Sequence, residues 1–191
     1  MSDPLSNIMV DAKRLYQEGH HQEAFAKYLE VAKQGDLAAQ AFVGQMYLVG
    51  EGTDQNDEEA LKWYTAAATR DYPPAQCGLG FFYYHKKNDV SKAVEWYRKA
   101  AERGHVVALW RLGRIYKKGI GVPADREKAY AYFEQAAKMG HIFSMRESAV
   151  FLIKGYRGWS KVITGFRLLT KCIFDGARIT WKSGDDERLR N

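Results

Sequence analysis

The fold is decided by residues 108–140, which read ALWRLGRIYKKGIGVPADREKAYAYFEQAAKMG. The opening block of this stretch has two earlier counterparts, AQAFVGQMY from Ala39 and AQCGLGFFY from Ala75. Each opening block is followed by a second block, EEALKWYTAAATRD, SKAVEWYRKAAERG or EKAYAYFEQAAKMG. Equivalent alanines recur after 36, 33 and 36 residues, and the shortfall lies in the loop after Tyr84. This period, with its length variation confined to one loop, predicts stacked supersecondary units.

Both blocks have the apolar periodicity of an amphipathic helix. In the second blocks an aromatic residue and two alanines follow the leading alanine at i+4, i+7 and i+8, as in Ala93, Tyr97, Ala100 and Ala101. Side chains that can cap free N–H groups stand four residues before the leading alanines, at Asn56, Asp89 and Asp125. Glycines that accept a positive φ are predicted to end the second helices, at Gly35, Gly104 and Gly140. The chain therefore predicts four helical hairpins and a weaker fifth.

Three further glycines, Gly44, Gly80 and Gly113, lie inside the first helix of their units. Glycine inside a helix costs about 1 kcal/mol relative to alanine. Its recurrence at the same place in three units predicts close packing, with a bulky Tyr or Phe of a neighbouring helix filling the space.

The pattern LG..Y..G.G followed by D..KA..WY.KAA..G resembles the Sel1-like repeat, a relative of the tetratricopeptide repeat. The resemblance covers roughly residues 12–176. It implies an all-α fold, a right-handed α-solenoid of stacked antiparallel helix pairs with four to five repeats. We assign the repeats to residues 12–38, 39–74, 75–107 and 108–143, and a degenerate cap to 144–176. The flanks are an N-terminal segment, 1–11, and a polar C-terminal tail, 177–191.

Charge is concentrated at one end of the chain. The 191 residues carry a net charge of +6, and 46% of them are apolar, which excludes a disordered chain. Residues 1–143 contain 19 basic and 18 acidic residues, whereas residues 144–191 contain 10 and 5. The protein is therefore a nearly neutral body with a basic end.

No motif in the sequence indicates catalysis. Cys77 and Cys172 are 95 residues apart, and we expect two reduced, buried thiols. His20 and His21 are adjacent and cannot share a helix face as metal ligands. The glycine pairs at 50–52 and 119–121 lack the Lys-Ser/Thr of a phosphate loop, so we interpret them as turns. We predict a non-enzymatic protein without cofactor or metal.

The resemblance also implies where a partner would bind. Tetratricopeptide-like stacks line their concave face with first-helix positions, here three before, one after and four after each conserved first-helix position. With the conserved glycine of each first helix as the reference point, this rule places the partner-binding groove at Tyr16, Gln45, Leu48, Phe81, Tyr84, Trp110, Arg114, Lys117 and Arg146. It also selects Met9, Lys13, Ala41, Cys77, Val150 and Ile153. Nearly all charges in this set are positive and aromatic residues accompany them, which suits a partner segment with carboxylates and apolar anchors.

Two matters stay open for the groove and the basic end. Phe81 and Tyr84 could instead pack between neighbouring first helices, so Trp110, Arg114 and Arg146 are the favoured contacts. The basic cap is formed by Lys154, Arg157, Lys161, Arg167 and Lys171, with Arg178 nearby. It is interleaved with Phe151, Tyr156, Trp159, Phe166, Phe174 and Trp181. It is either the solvated outer face of a capping hairpin or a contact for an anionic membrane or an acidic protein. Nucleic acid ranks lowest, because no binding motif is present.

The leading hypothesis is an adaptor or scaffold that binds another protein. Sel1-like repeat proteins resemble one another in acting as adaptors, often in bacterial envelope, secretion, signalling or host-interaction systems. The alternatives are a peripheral membrane module that uses the basic cap, and an inhibitor or immunity-type protein that sequesters a partner. The sequence shows no secretion signal and no apolar run of membrane-spanning length, so we expect a cytoplasmic location.

Overall fold

The computed structural model describes residues 4–184, with side chains described for residues 5–158 and 160–175. This range contains ten α helices, one short 3-10 helix at Trp159–Lys161 and no strand. The first six helices are α1 (Pro4–Gln17), α2 (His21–Lys33), α3 (Leu37–Val49), α4 (Asp57–Ala68), α5 (Pro73–His85) and α6 (Val90–Glu102). The last four are α7 (Val106–Lys118), α8 (Arg126–Lys138), α9 (Ile142–Ile153) and α10 (Val162–Gly184).

Consecutive helices pack as pairs, α1 with α2 through α9 with α10. The predicted four hairpins and the fifth are thereby confirmed within the described range. The chain divides into two compact units, the first ending at His105 and the second beginning at Val106. In the first unit α2 packs on α3 and α4 packs on α5, and in the second α8 packs on α9.

The two flanks differ from the segments assigned from the sequence. Helix α1 begins at Pro4, because the fixed φ of proline suits a first helical residue, and it takes in most of residues 1–11. Helix α10 continues to Gly184, into the stretch assigned to the polar tail. Residues 1–3 and 185–191 lie outside the described range.

The predicted helix caps are confirmed. The side chain of Asn56 accepts hydrogen bonds from the N–H groups of Glu58 and Glu59, both at 3.0 Å. Asp89 and Asp125 accept from the N–H groups three residues later, at 3.0 and 2.9 Å. The N–H of Lys128 also lowers the pKa of Asp125, since it favours the charged carboxylate. The glycines after α2, α6 and α8 adopt the predicted positive φ, with 91° at Gly35, 77° at Gly104 and 87° at Gly140.

The packing expected around the helix-interior glycines is also confirmed. A Cβ on Gly80 would lie 2.6 Å from the ring of Tyr97, and one on Gly113 would lie 2.6 Å from the ring of Phe133. The equivalent distance from Gly44 to Tyr64 is 3.1 Å. In each pair the aromatic side chain of the second helix therefore occupies the space that a larger first-helix residue would need.

The fifth pair, α9 and α10, reverses this arrangement. Its glycine, Gly165, lies on the second helix, where a Cβ would come within 2.8 Å of the Leu152 Cβ and 2.9 Å of the Ala149 carbonyl oxygen. The buried Cys172 thiol donates to the carbonyl of Ile142 at 3.3 Å. Helix α10 thus packs on α9 through the side that carries Gly165 and Cys172, which leaves its opposite side exposed.

Candidate partner-binding surface

Tyr16, from the first unit, is held by the loop that follows α3. Its hydroxyl donates to Oε2 of Glu51 at 2.7 Å, and its ring meets the ring of Phe42 edge-on, with centroids 4.9 Å apart. Burial and the hydrogen bond to Glu51 raise the pKa of Tyr16 to about 12. These contacts give Tyr16 a structural part in joining α1 to the loop.

Leu48 requires a correction. It is 6% exposed and packs in a core cluster with Ala60 and Tyr64. Two other positions selected by the same rule, Ala41 and Cys77, are also buried. Helices α3 and α5 contact each other, so apolar side chains at these positions are covered by neighbouring helices. Gln45 is exposed and stays a candidate, whereas Leu48 leaves the candidate surface.

Phe81 and Tyr84 of α5 are half-buried. Phe81 packs against the core cluster around Tyr64, and its ring centroid lies 4.2 Å from that of His85. Tyr84 contacts the same histidine ring at 4.8 Å. Packing between helices, the alternative interpretation for these residues, therefore explains the partial burial of the Phe81 side chain.

The second unit presents a different first-helix face, centred on Trp110. The guanidinium carbons of Arg111 and Arg114 each lie 4.9 Å from the Trp110 ring centroid, which is cation–π geometry. The rings of His141 and Phe143 lie 5.8 and 6.3 Å from Trp110. Phe143 is 58% exposed, which is unusual for so large an apolar side chain.

Sequence reasoning missed Phe143 and His141. Both lie at the start of α9, outside the three positions of the groove rule. His141 is the N-cap of α9, where its Nδ1 accepts from the N–H of Ser144 at 3.3 Å. Burial lowers the pKa of His141, which keeps the imidazole neutral near neutral pH. The signal that could have found them is an aromatic residue two positions after a helix cap, at Phe143.

Charge beside this aromatic cluster is positive. Lys117 Nζ lies 2.5 Å from Oε2 of Glu147, and Arg146 Nη2 lies 3.8 Å from Oε1 of the same residue. Two cations thus share one carboxylate, while the exposed Arg114 adds a third cation. We call the group of Trp110, Arg114, Lys117, Phe143 and Arg146 the α7–α9 surface. It brings together four of the residues predicted from the sequence.

The basic cap spreads over the turn after α9, the 3-10 helix and α10. The five cations assigned to the cap from the sequence are all exposed, at Lys154, Arg157, Lys161, Arg167 and Lys171. The guanidinium of Arg157 lies 5.0 Å from the ring centroid of Tyr130. The side chains of Trp159, Arg178 and Trp181 lie outside the described side chains.

Helix α10 also exposes apolar side chains beside these cations. Its outer side carries Ile163, Phe166, Ile173 and Phe174, which are between 53% and 75% exposed. At 100° per residue these four positions share one side of the helix, and Arg167 and Lys171 follow along one edge. The outer side of α10 is therefore a mixed apolar and basic stripe. The solvated charged face that the sequence suggested is limited to one edge of this side.

Within the described part of the chain, no group of three or more His, Cys, Asp or Glu residues could hold a metal ion. None of its helices combines the length and apolar character needed to cross a bilayer.

The packed helix pairs define the class of protein as an α-solenoid built from helical-hairpin repeats. The family model of the Sel1 repeat matches residues 37–72, 73–105 and 106–141, which is more than half of the chain. The chain therefore belongs to the Sel1 repeat family, and the fold predicted from the sequence is confirmed. Sel1 repeats mediate protein–protein interaction.

Two curated relatives have regulatory names. The chain is 33% identical over 125 residues to chitin synthase regulatory factor 3 of Schizosaccharomyces pombe, a match that covers 62% of this chain and 13% of that protein. It is 28% identical over 147 residues to an exopolysaccharide production negative regulator of Rhizobium meliloti, covering 68% and 55%. The chain thus spans about half of the second relative and a small part of the first.

Solved structures agree on the fold. A Sel1 repeat protein from Oxalobacter formigenes superposes with a TM-score of 0.76 at 25% identity, covering 87% of this chain and 72% of that one. A protective antigen of uropathogenic Escherichia coli with the SLR fold has a TM-score of 0.54 at 23% identity, covering 87% and 46%.

Proposed function

We propose that this protein is a non-enzymatic adaptor that captures a partner protein through the α7–α9 surface. The observation that supports this most is Trp110, which lies beside two arginine guanidinium groups and the exposed ring of Phe143. Trp and Arg are enriched among the residues that dominate binding energy at interfaces. The regulatory names of the two curated relatives support a role in controlling another protein. The cytoplasmic location expected from the sequence stays a prediction.

The chemistry of the surface selects an acidic partner segment with an apolar anchor. Phe143 and Trp110 offer an aromatic contact, Arg114 lies beside the Trp110 ring, and Lys117 and Arg146 add positive charge on α7 and α9. Glu147 is the carboxylate already paired with two of these cations. A carboxylate of the partner would strengthen the encounter by complementary charge, and the apolar anchor would supply desolvated contact area.

Charge reversal tests this proposal. The double variant Arg114→Glu/Arg146→Glu is expected to abolish capture of the partner from the native organism, measured by quantitative mass spectrometry, and to leave helicity and the melting temperature unchanged. The matched control is Lys33→Glu/Lys138→Glu, which makes the same charge change at exposed lysines of second helices. Equal loss in both double variants, or full capture by the first, would refute the assignment to this surface.

A second candidate function is supported by helix α10. Its exposed Phe166 and Phe174 lie beside Arg167 and Lys171, a combination that suits the surface of an anionic bilayer. Each nearby cation contributes about 1 kcal/mol to such binding. We propose that, if this function is present, the protein floats with phosphatidylserine vesicles and not with phosphatidylcholine vesicles. Phe166→Ser/Phe174→Ser should then abolish flotation, while Arg114→Glu/Arg146→Glu should retain it. Failure of the wild-type protein to float with phosphatidylserine vesicles would rule out the membrane function.

A further inference from the structure

A cavity of about 260 Å³ lies in the second unit, at the end of α7, the start of α8 and the end of α9. Its lining is formed by Lys117, Arg126, Val150, Phe151, Lys154 and Tyr156. A cavity of about 150 Å³ is large enough to hold benzene. The volume therefore admits an organic group of several heavy atoms.

Three cations from three different elements border this cavity. Lys117 lies in the last turn of α7, Arg126 begins α8 and Lys154 follows α9. Lys117 is paired with Glu147, whereas Arg126 and Lys154 form no ion pair among the described residues. The lining carries no carboxylate of its own. An anion that entered would therefore meet two cations that have no competing partner.

Tyr156 adds a hydrogen-bond donor without a partner. Its hydroxyl oxygen is buried and forms no hydrogen bond within the described part of the chain. Burial and the nearby Glu127 carboxylate raise the pKa of Tyr156, so the hydroxyl keeps its proton at neutral pH. Leaving such a group unpaired costs about 1–3 kcal/mol. An acceptor in the cavity would remove that cost.

The remaining wall is apolar. Phe151 is buried, and its ring lies 5.4 Å from that of Tyr156 and 5.9 Å from that of Tyr130. Val150 lies beside it on α9. The cavity thus joins cations and one hydroxyl donor to an aromatic floor. This combination favours an anion carried on an apolar group over a small, fully hydrated ion such as phosphate.

We infer that this cavity binds a carboxylate borne on an apolar group, supplied by the acidic residue of the partner segment. The inference rests on the proposed function, because Lys117 belongs to both the cavity and the α7–α9 surface. Trp110 and Lys117 are seven residues apart on α7, which is about 10 Å along the helix. An extended segment covers that distance in about three residues. The partner motif is therefore an apolar anchor with an acidic residue about three positions away.

The carboxylate site can be tested without the partner. The probe is 3-phenylpropionate, titrated into the isotopically labelled full chain and followed by two-dimensional NMR. Saturable shifts are expected at residues 117, 126 and 150–156, with much smaller shifts from the neutral analogue 3-phenylpropanamide and from inorganic phosphate. The absence of saturable shifts up to about 50 mM 3-phenylpropionate would overturn the inference. Equal binding of phosphate or of the amide would overturn it as well.

Two variants separate binding from folding. Arg126→Gln/Lys154→Gln should weaken 3-phenylpropionate binding roughly ten-fold, while the control Lys33→Gln/Lys138→Gln leaves it unchanged. Tyr156→Phe should weaken binding about five-fold without lowering the melting temperature, because it removes a hydroxyl that has no partner in the folded chain. A stability loss in Tyr156→Phe with unchanged probe binding would assign the hydroxyl a structural part and refute its place in the site.

Peptides distinguish the source of the carboxylate. The probe is acetyl-FAAELA-amide, compared with its Glu→Gln counterpart and with acetyl-FAAL bearing a free C-terminal carboxylate. Preference for the first over the second, lost in Arg126→Gln/Lys154→Gln, supports a side-chain carboxylate, whereas binding of the third as tight as that of the first, or tighter, would refute a side-chain source. If neither acidic peptide binds better than the Gln peptide, the inference fails. Partner capture through Arg114 and Arg146 could still succeed, so the two failures are distinguishable.

Discussion

The first helices of the two units have the same buried side and different exposed sides. In the first unit the predicted groove positions Ala41, Leu48 and Cys77 are buried, and Phe81 packs partly into the core. In the second unit the equivalent positions Arg114 and Lys117 are exposed and charged. A single repeat pattern therefore supports one framework with two surfaces, of which the second has the composition of an interface.

This difference shows that the repeats share their packing residues, while their exposed positions differ from one unit to the other. Gly80 and Gly113 admit Tyr97 and Phe133 at the same distance in the two units. One turn away on the same helices, Tyr84 contacts His85, whereas Lys117 pairs with Glu147 of α9. The recurring residues thus identify the fold, and the residues that vary between units identify the candidate site.

The largest expected effect tests the shared framework. Gly80→Val and Gly113→Val should each lower the free energy of unfolding by about 3 kcal/mol, because even a Cβ would lie 2.6 Å from an aromatic ring. The measurement is urea denaturation followed by circular dichroism. Ala131→Val, at an exposed position of α8, is the control and should cost a few tenths of a kcal/mol, about the difference in helix propensity. A loss below about 1 kcal/mol in either glycine variant would show that the two frameworks are not equivalent.

A smaller effect on stability distinguishes the exposed first-helix side of the first unit from the surface of the second unit. Phe81→Ala should cost about 2 kcal/mol of stability, since the ring is half-buried against the core, and should leave partner capture intact. Phe143→Ala should change stability by less than about 0.5 kcal/mol and should reduce capture. Melting curves and capture yields of the two variants provide the test. The opposite assignment of effects would move the interface to the first unit.

Much of the fold could be predicted from the sequence because it rests on local and repeated signals. The caps at Asn56 and Asp125 follow from side-chain chemistry close to the backbone they bind. The packing of Gly113 against Phe133 follows from the cost of an interior glycine. The resemblance to tetratricopeptide-like repeats selected Trp110 and Arg114 together, and the Arg114 guanidinium lies 4.9 Å from the Trp110 ring centroid.

The remaining features depend on contacts between elements distant in sequence. The burial of Leu48 is set by the neighbouring helices, and the approach of Phe143 to Trp110 joins residues 33 positions apart. The cavity at Tyr156 needs the ends of three helices to meet. Composition and periodicity carry no information on such long-range contacts, so the sequence could not predict these parts of the site.

The smallest expected effect compares two caps of different chemistry. The Lys128 N–H holds the pKa of Asp125 in the folded protein below the unfolded value of about 4. The carboxylate cap therefore stabilises the fold fully above about pH 4, and this stabilisation is lost as the pH falls through the folded pKa. The stability difference between the wild type and Asp125→Asn should therefore shrink between pH 5 and pH 2 (approximate limits). Asn56→Ala should instead show a constant loss of about 1 kcal/mol, because an amide cap does not titrate. Urea midpoints against pH measure both, and a constant difference for Asp125→Asn would contradict the assigned cap.

Hydrogen–deuterium exchange on the captured complex tests the central claim most directly. If the partner binds through the second unit, amides of α7 and of the first turns of α9 should exchange more slowly in the complex than in the protein alone. Amides of α3 and α5, which present the buried groove positions of the first unit, should exchange at unchanged rates. Protection of α3 and α5 with unchanged exchange in α7 and α9 would contradict the account.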